Sequence, residues 1–157
     1  MHAKEMQRLS APLSVCQEID DRISGKDSAL VWGMSPVPEL LGRVYNFSLA
    51  SLRFYRKLPK GPDAQVPGVQ FYKAATSSWA NYRAAQRGRS RPEFIAKLGV
   101  VVEESDEAVG WLEFMRDGEI ASDAALLAQA RELSAIFTAC LTSARQNQNR
   151  CRKSRPE

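Results

Sequence analysis

Between Phe94 and Met115, apolar or small residues recur at alternating steps of four and three: Phe94, Leu98, Val101, Ser105, Ala108, Leu112 and Met115. A stripe kept up for three heptads predicts a long helix buried along one face. Ile95, Val102 and Val109 lie beside it. The widened face suits a bundle core better than the narrow seam of a two-stranded coiled coil. Ser90, Arg91, Pro92 and Glu93 form a capping box at its start. There the Ser90 hydroxyl accepts from the Glu93 amide and the Glu93 carboxylate reaches back. Pro92 belongs in that first turn, where a missing N–H costs nothing. Gly88 suits the left-handed closing residue of a preceding helix. Asp117 and Gly118 end the long helix.

Three more stretches carry the same period. Leu40, Val44, Phe47, Ser51, Phe54 and Leu58, flanked by Leu41, Tyr45 and Tyr55, predict a helix from Val37 to Leu58. Pro59, Gly61, Pro62 and Asp63 then read as a loop. A second helix is expected from Pro67 or Gly68 to about Arg87, with Phe71, Ala75, Ser78, Tyr82 and Ala85 inside. Within it, Asn81 is expected to be a buried amide bonded across helices. Trp79 lies off the stripe, where it either caps the bundle or contacts another subunit. The fourth helix, capped by Ser122 or Asp123, buries Leu126, Ala130, Leu133, Phe137, Cys140 and Ala144. Four helices of roughly 20 to 26 residues joined by short connections make an all-α, up-down-up-down four-helix bundle. The expected organisation is a poorly ordered extension over residues 1–33, a bundle over 34–145 and a basic disordered tail over 146–157. Met34 directly precedes the patterned region and offers an alternative native start.

Composition changes this picture little. The chain has 157 residues, 44% hydrophobic and 25% charged, ordinary values for one globular domain. No uninterrupted apolar run approaches the roughly 18 residues that span a membrane. No secretory signal pattern opens the chain, so the expected location is the cytoplasm. Cys16, Cys140 and Cys151 form no CxxC pair and suggest neither a disulfide framework nor a zinc site. Cys140 reads as core filler.

Charge changes it more. The formal net charge of +4 covers a strong segregation. Ala50 to Val100 holds ten Lys or Arg against two acids, whereas Val101 to Cys140 holds two against nine. Leu141 to Glu157 returns to five against one. Such a map predicts an electropositive patch or complementary faces of neighbouring subunits. The cluster Arg83, Arg87, Arg89, Arg91 and Lys97 crowds the turn before the long helix. Five cations at one bundle end suit phosphate contacts. The competing reading pairs them with Glu103, Glu104, Asp106 and Glu107 of a neighbouring subunit, and spacing leans slightly that way. Arg53, Arg56, Lys57 and Lys60 gather at the end of the first helix, where cations also complement the helix dipole.

Several chemistries lack their residues. The one histidine, His2, lies outside the patterned region, so a histidine base is not expected. There is no Glu-x-x-His pair for a di-iron site and no phosphate-cradling glycine loop. The carboxylates Glu103, Glu104, Asp106, Glu107 and Glu113 spread around a polar face, which favours solvated or intersubunit charges over an acid/base pair. No catalytic residue, metal site or cofactor is expected.

The run Gln70 to Ser77 (QFYKAATS), then Ala80 to Ala85 (ANYRAA), Arg89 to Arg91, Glu93 to Ile95, Lys97 to Gly99, Glu103 to Glu107 and Trp111 to Glu113 resembles the "four helix bundle protein" family. Its members are encoded in intervening sequences of bacterial 23S rRNA genes, and accessory variability proteins of diversity-generating retroelements look like relatives. The resemblance spans about Val37 to Ala144. It implies a left-handed bundle that assembles as a homopentamer with a central channel. Most members have no established biochemical activity. The retroelement relatives bind nucleic acid and a reverse transcriptase through basic surfaces. Two positions depart from the pattern: Trp79 stands where Gly or Ala is usual, and Lys73 replaces an Arg, losing the bidentate fork.

Together these readings predict a non-enzymatic, oligomeric protein that binds RNA or DNA through Arg83, Arg87, Arg89, Arg91 and Lys97. The resemblance extends the expectation to an accessory of an RNA-handling or reverse-transcribing enzyme. The alternative is a self-assembling interaction module with no nucleic-acid role. Trp79, Trp111, Phe114, Glu103 and Glu107 are the expected subunit-interface residues.

Overall fold

All seven stripe positions of the long helix, from Phe94 to Met115, are buried, and they are the residues on which the bundle is assembled. The computed structural model of the chain describes residues 36–153 and the side chains of 39–149. The expected extension over 1–33 and the last residues of the expected tail, 154–157, lie outside the described residues. Four helices follow in order: α1 (Pro36–Lys57), α2 (Pro62–Ala85), α3 (Arg91–Asp117) and α4 (Ala124–Lys153). Helix α3 packs most extensively against α2 and next against α4, while α1 closes the ring against α2 and, more lightly, α4. The arrangement is the expected up-down-up-down bundle.

The other stripes hold as well. Leu126, Ala130, Leu133, Phe137, Cys140 and Ala144 of α4 are all buried, as are Phe71, Ala75, Ser78, Tyr82 and Ala85 of α2. In α1 only Phe54 is half-buried, packed edge-on against Phe71 at 5.7 Å between ring centres. Small residues let α1 and α2 approach closely: Ser48 Oγ donates to Ala75 O across the pair at 2.9 Å. By length and composition α4 between Ala124 and Asn149 could cross a membrane, but it turns its apolar stripe into the bundle core.

Four local expectations need correction. Helix α2 starts at Pro62, five residues before Pro67. Pro62 occupies the first turn, Asp63 complements the dipole there, and Ala64 and Gln65 both donate to Gly61 O. The cluster read as a loop therefore contains a helix start. Gly68 is accordingly not at the helix start but inside it, where a Cβ would collide with Leu58 and lie 3.1 Å from the Tyr55 ring. Gly88 is not in the left-handed region; it is needed because a Cβ would sit 3.0 Å from Ala85 O. Asn81 does not bond across helices, since its Nδ2 donates to Ser77 O, one turn back, at 3.0 Å.

The fourth correction concerns the C-terminal stretch. Helix α4 does not stop at Ala144 but continues to Lys153, through most of the segment expected to be a disordered tail. Gln and Arg are good helix formers, and neither Gly nor Pro interrupts the run.

The ends of α3 and α4 are built as specified. Glu93 N donates to Ser90 Oγ at 3.3 Å, and Glu93 Oε2 accepts from Arg89 N at 2.9 Å. Asp123 caps α4 by accepting from Leu126 N at 2.9 Å. At the other end of α3, Ile120 N donates to Met115 O and Glu119 N to Arg116 O, the two bonds of a Schellman motif. The left-handed position of that motif falls on Glu119, at φ 55°, one residue beyond Gly118. Arg116 and Asp117 pair beside it, and this hydrogen bond holds the Asp117 carboxyl below its ordinary range.

Three expectations test this packing and the end of α3. Leu98→Ala or Leu112→Ala should lower the unfolding free energy in a urea melt by about 2–5 kcal/mol, through lost burial and the cavity left behind. Ser105→Leu should destabilise too, because Ser105 is buried on the same stripe. Glu119→Gly should raise stability by about 1 kcal/mol, since only glycine takes a left-handed backbone without penalty. An unchanged melt for Glu119→Gly would contradict the assigned helix end.

Candidate nucleic-acid interface

The turn between α2 and α3 is tight because its amides are used locally. Arg87 N donates to Ala84 O and Gly88 N to Ala85 O, and the Ser90–Glu93 cap opens α3. The cations of the turn are left on the outside. Arg83, Arg87 and Arg89 are exposed, and Arg91 and Lys97 are half-buried. Arg83 lies over the Trp79 ring at 5.8 Å, a cation–π contact that fixes its direction. Among the described residues, Arg83, Arg87, Arg89 and Lys97 make no ion pair.

Helix α4 adds to this end. Glu113 of α3 pairs with Arg131 of α4, Arg131 Nε lying 3.2 Å from Glu113 Oε1. From Glu113 back to Arg91 is 22 residues (113 − 91), and from Arg131 on to Lys153 is also 22 (153 − 131). At 1.5 Å per residue in antiparallel neighbours, the last turns of α4 run level with the start of α3. The backbone therefore carries Arg145, Arg150, Arg152 and Lys153 to the end that holds the basic turn. No acid occurs between Glu132 and Lys153, and Glu93 is the one acid between Arg83 and Lys97. By sequence and helix register that end carries nine Lys or Arg against two acids, Glu93 and Glu39 in the first turn of α1. The expected cluster missed the α4 members because the loss of apolar period after Ala144 was read as the end of the helix. The signal for them was that no Gly or Pro interrupts residues 145–153, where Gln, Arg and Lys outnumber Asn and Cys.

The acidic residues lie elsewhere. Glu113 is occupied by Arg131, and Glu132 by Arg43 of α1 at 2.9 Å. These exposed pairs contribute little stability but fix the helix register. Glu103, Asp106 and Glu107 are exposed and Glu104 half-buried, all without an ion pair among the described residues. Glu107 accepts from the Trp111 indole at 2.9 Å. Among the described residues Arg83, Arg87, Arg89 and Lys97 make no ion pair with these acids.

The expected interface aromatics divide. Trp111 is half-buried, with Phe114 edge-on to it at 5.8 Å and 56% exposed. Trp79 is half-buried and leans on Tyr45, 5.6 Å between ring centres. Among the described residues no group of three or more His, Cys, Asp or Glu could hold a metal ion.

The structure resembles a crystal structure of a protein of unknown function from the S23 ribosomal protein family of Bacteroides thetaiotaomicron. The TM-score is 0.60 and the identity 22%, over 69% of this chain and 97% of that one. The likeness is one of fold. No family model and no curated protein matches the chain.

Proposed function

We propose that the chain is a non-enzymatic, oligomeric nucleic-acid-binding protein whose basic end, the α2–α3 turn with the last turns of α4, contacts phosphates. The observation that carries this reading is that one end of the bundle holds nine Lys or Arg, five around the α2–α3 turn and four along the last turns of α4, against two acids, Glu39 and Glu93. A field of one sign on a rigid end attracts a polyanion and needs no folding on contact. The resemblance of residues 70–113 supports a finer reading, an accessory to an RNA-handling or reverse-transcribing enzyme.

A second reading, a self-assembling module, is favoured by one face of α3. Glu103, Glu107, Gly110 and Phe114 follow one another at steps of four, three and four, so an exposed ring and unpaired acids share a side. Such a face fits a neighbouring copy, and the resemblance implies five of them. The two readings are compatible where the α3 face assembles the ring and the basic end stays free.

Fluorescence anisotropy over a series of salt concentrations separates them, with light scattering on the same samples. Phosphate contacts predict a log–log slope of about −0.9 per phosphate on duplex DNA and about −0.7 on single strands. Arg87→Ala with Arg89→Ala should flatten the slope by about one to two units per engaged subunit, weaken all sequences alike and leave assembly intact. If instead the basic turn pairs with the Glu103 to Glu107 acids of a neighbouring copy, the double variant dissociates the oligomer. Absence of salt-dependent binding to both RNA and DNA by an intact oligomer would overturn the proposal.

A further inference from the structure

Away from the basic end, the outer face of the α1–α2 hairpin carries an arrangement that neither the core nor the turn explains. Tyr72, Thr76, Trp79 and Arg83 follow at steps of four, three and four, which puts them on one side of α2. Across the seam, Tyr55 stacks on Tyr72 with ring centres 5.8 Å apart and planes 12° apart. Tyr45 leans on Trp79 at 5.6 Å and 51°. Two aromatic pairs therefore lie along the hairpin, ten residues apart on α1. Tyr45 is 46% exposed, while Tyr55, Tyr72 and Trp79 are half-buried. Arg83 covers Trp79, and the exposed Arg56 and Lys73 adjoin Tyr55 and Tyr72 in sequence. Arg56, Lys73 and Arg83 make no ion pair among the described residues. From Leu40 to Pro92 the chain holds ten cations and a single acid, Asp63, in the first turn of α2, and on the α3 side Glu104 and Glu107 border the groove that Lys73, Thr76 and Trp79 line.

We propose that this seam is a stacking platform for the unpaired bases of a single-stranded nucleic acid, whose backbone runs on toward the basic turn. The proposal rests on the nucleic-acid reading above and specifies the strand. A ring such as Tyr45 can take a base face only when that base is unstacked, which a duplex does not offer; a π-face with cations alongside suits any base of a single strand. The ten residues from Tyr45 to Tyr55 span about 15 Å, the length of roughly four stacked nucleotides. Charge selects this occupant over another copy presenting the same face, which would set cation against cation. Arg83 joins the two regions, since it covers Trp79 and stands one turn before Arg87.

The sequence contains three tryptophans, Trp32, Trp79 and Trp111, so Trp32→Phe with Trp111→Phe leaves Trp79 as the sole indole reporter. The full chain carrying both changes is titrated with ten-nucleotide oligo(dT) and oligo(U), and with a ten-base-pair duplex. Saturable quenching of Trp79 by the single strands, and none by the duplex, is expected. Tyr45→Ala should weaken single-strand binding roughly five- to hundredfold, the worth of one base stack, and leave duplex affinity unchanged. Tyr45→Phe, which keeps the ring, should bind as the parent does.

Single strands that bind while Trp79 emission stays unmoved would overturn the platform and leave the basic end standing. So would equal weakening of duplex and single strand by Tyr45→Ala. Loss of assembly in Tyr45→Ala with single-strand affinity retained would assign the seam to self-association instead. If neither nucleic acid binds, the platform and the basic-end reading fall together.

Discussion

The close packing of α3 between α2 and α4 is the constraint on which the rest of the structure depends. Its seven buried positions include Ser105 and Ala108, and α2 offers the small buried residues Ala74, Ala75 and Ser78, while Leu133 and Phe137 fill the core from α4. Once that stripe is buried, every charged residue of α3 is forced onto the remaining surface. The Glu113–Arg131 pair marks the register of α3 and α4, in which the C-terminal turns of α4 come level with the basic turn. The position of the charged surface is thus a consequence of apolar packing and helix length.

Much of this was legible in the residues themselves. The period of α3 identified all its buried positions, because a helix buried between two others must repeat its apolar face without a break. The Ser90 and Asp123 caps were legible for a similar reason: a short polar side chain before an apolar run has one good use. The start of α2 was not, since a proline in a loop and a proline in the first helical turn look alike without a neighbour. Helix α4 beyond Ala144 escaped because that stretch lacks an apolar face, while helix propensity continues without one. Aromatic pairs such as Tyr55–Tyr72 join two helices, and the spacing along either helix alone does not reveal them.

The candidate surface was half visible. The five cations from Arg83 to Lys97 stand together in sequence and in space, but their α4 companions needed the register of two antiparallel helices. The absence of ion pairs between the cluster and the α3 acids could not be read from spacing either. In the folded chain the acids of α3 and α4 form two specific pairs, Glu113–Arg131 and Glu132–Arg43, and the remaining acids stay apart from the arginines of the turn. Charge segregated in this way gives one end of the bundle a field of one sign. The α1–α2 hairpin adjoining this end carries two aromatic pairs, Tyr45–Trp79 and Tyr55–Tyr72, with Glu104 and Glu107 of α3 along one border.

The most direct test of this account is amide mapping by NMR while the full chain is titrated with a short single-stranded oligonucleotide at low salt. Shifts concentrated in residues 83–97 and 145–153, with a second set along Tyr45–Tyr55 and Tyr72–Trp79, are the predicted result. Shifts centred on Glu103–Glu107 or on the α3–α4 connection, or spread evenly over the four helices, would contradict it.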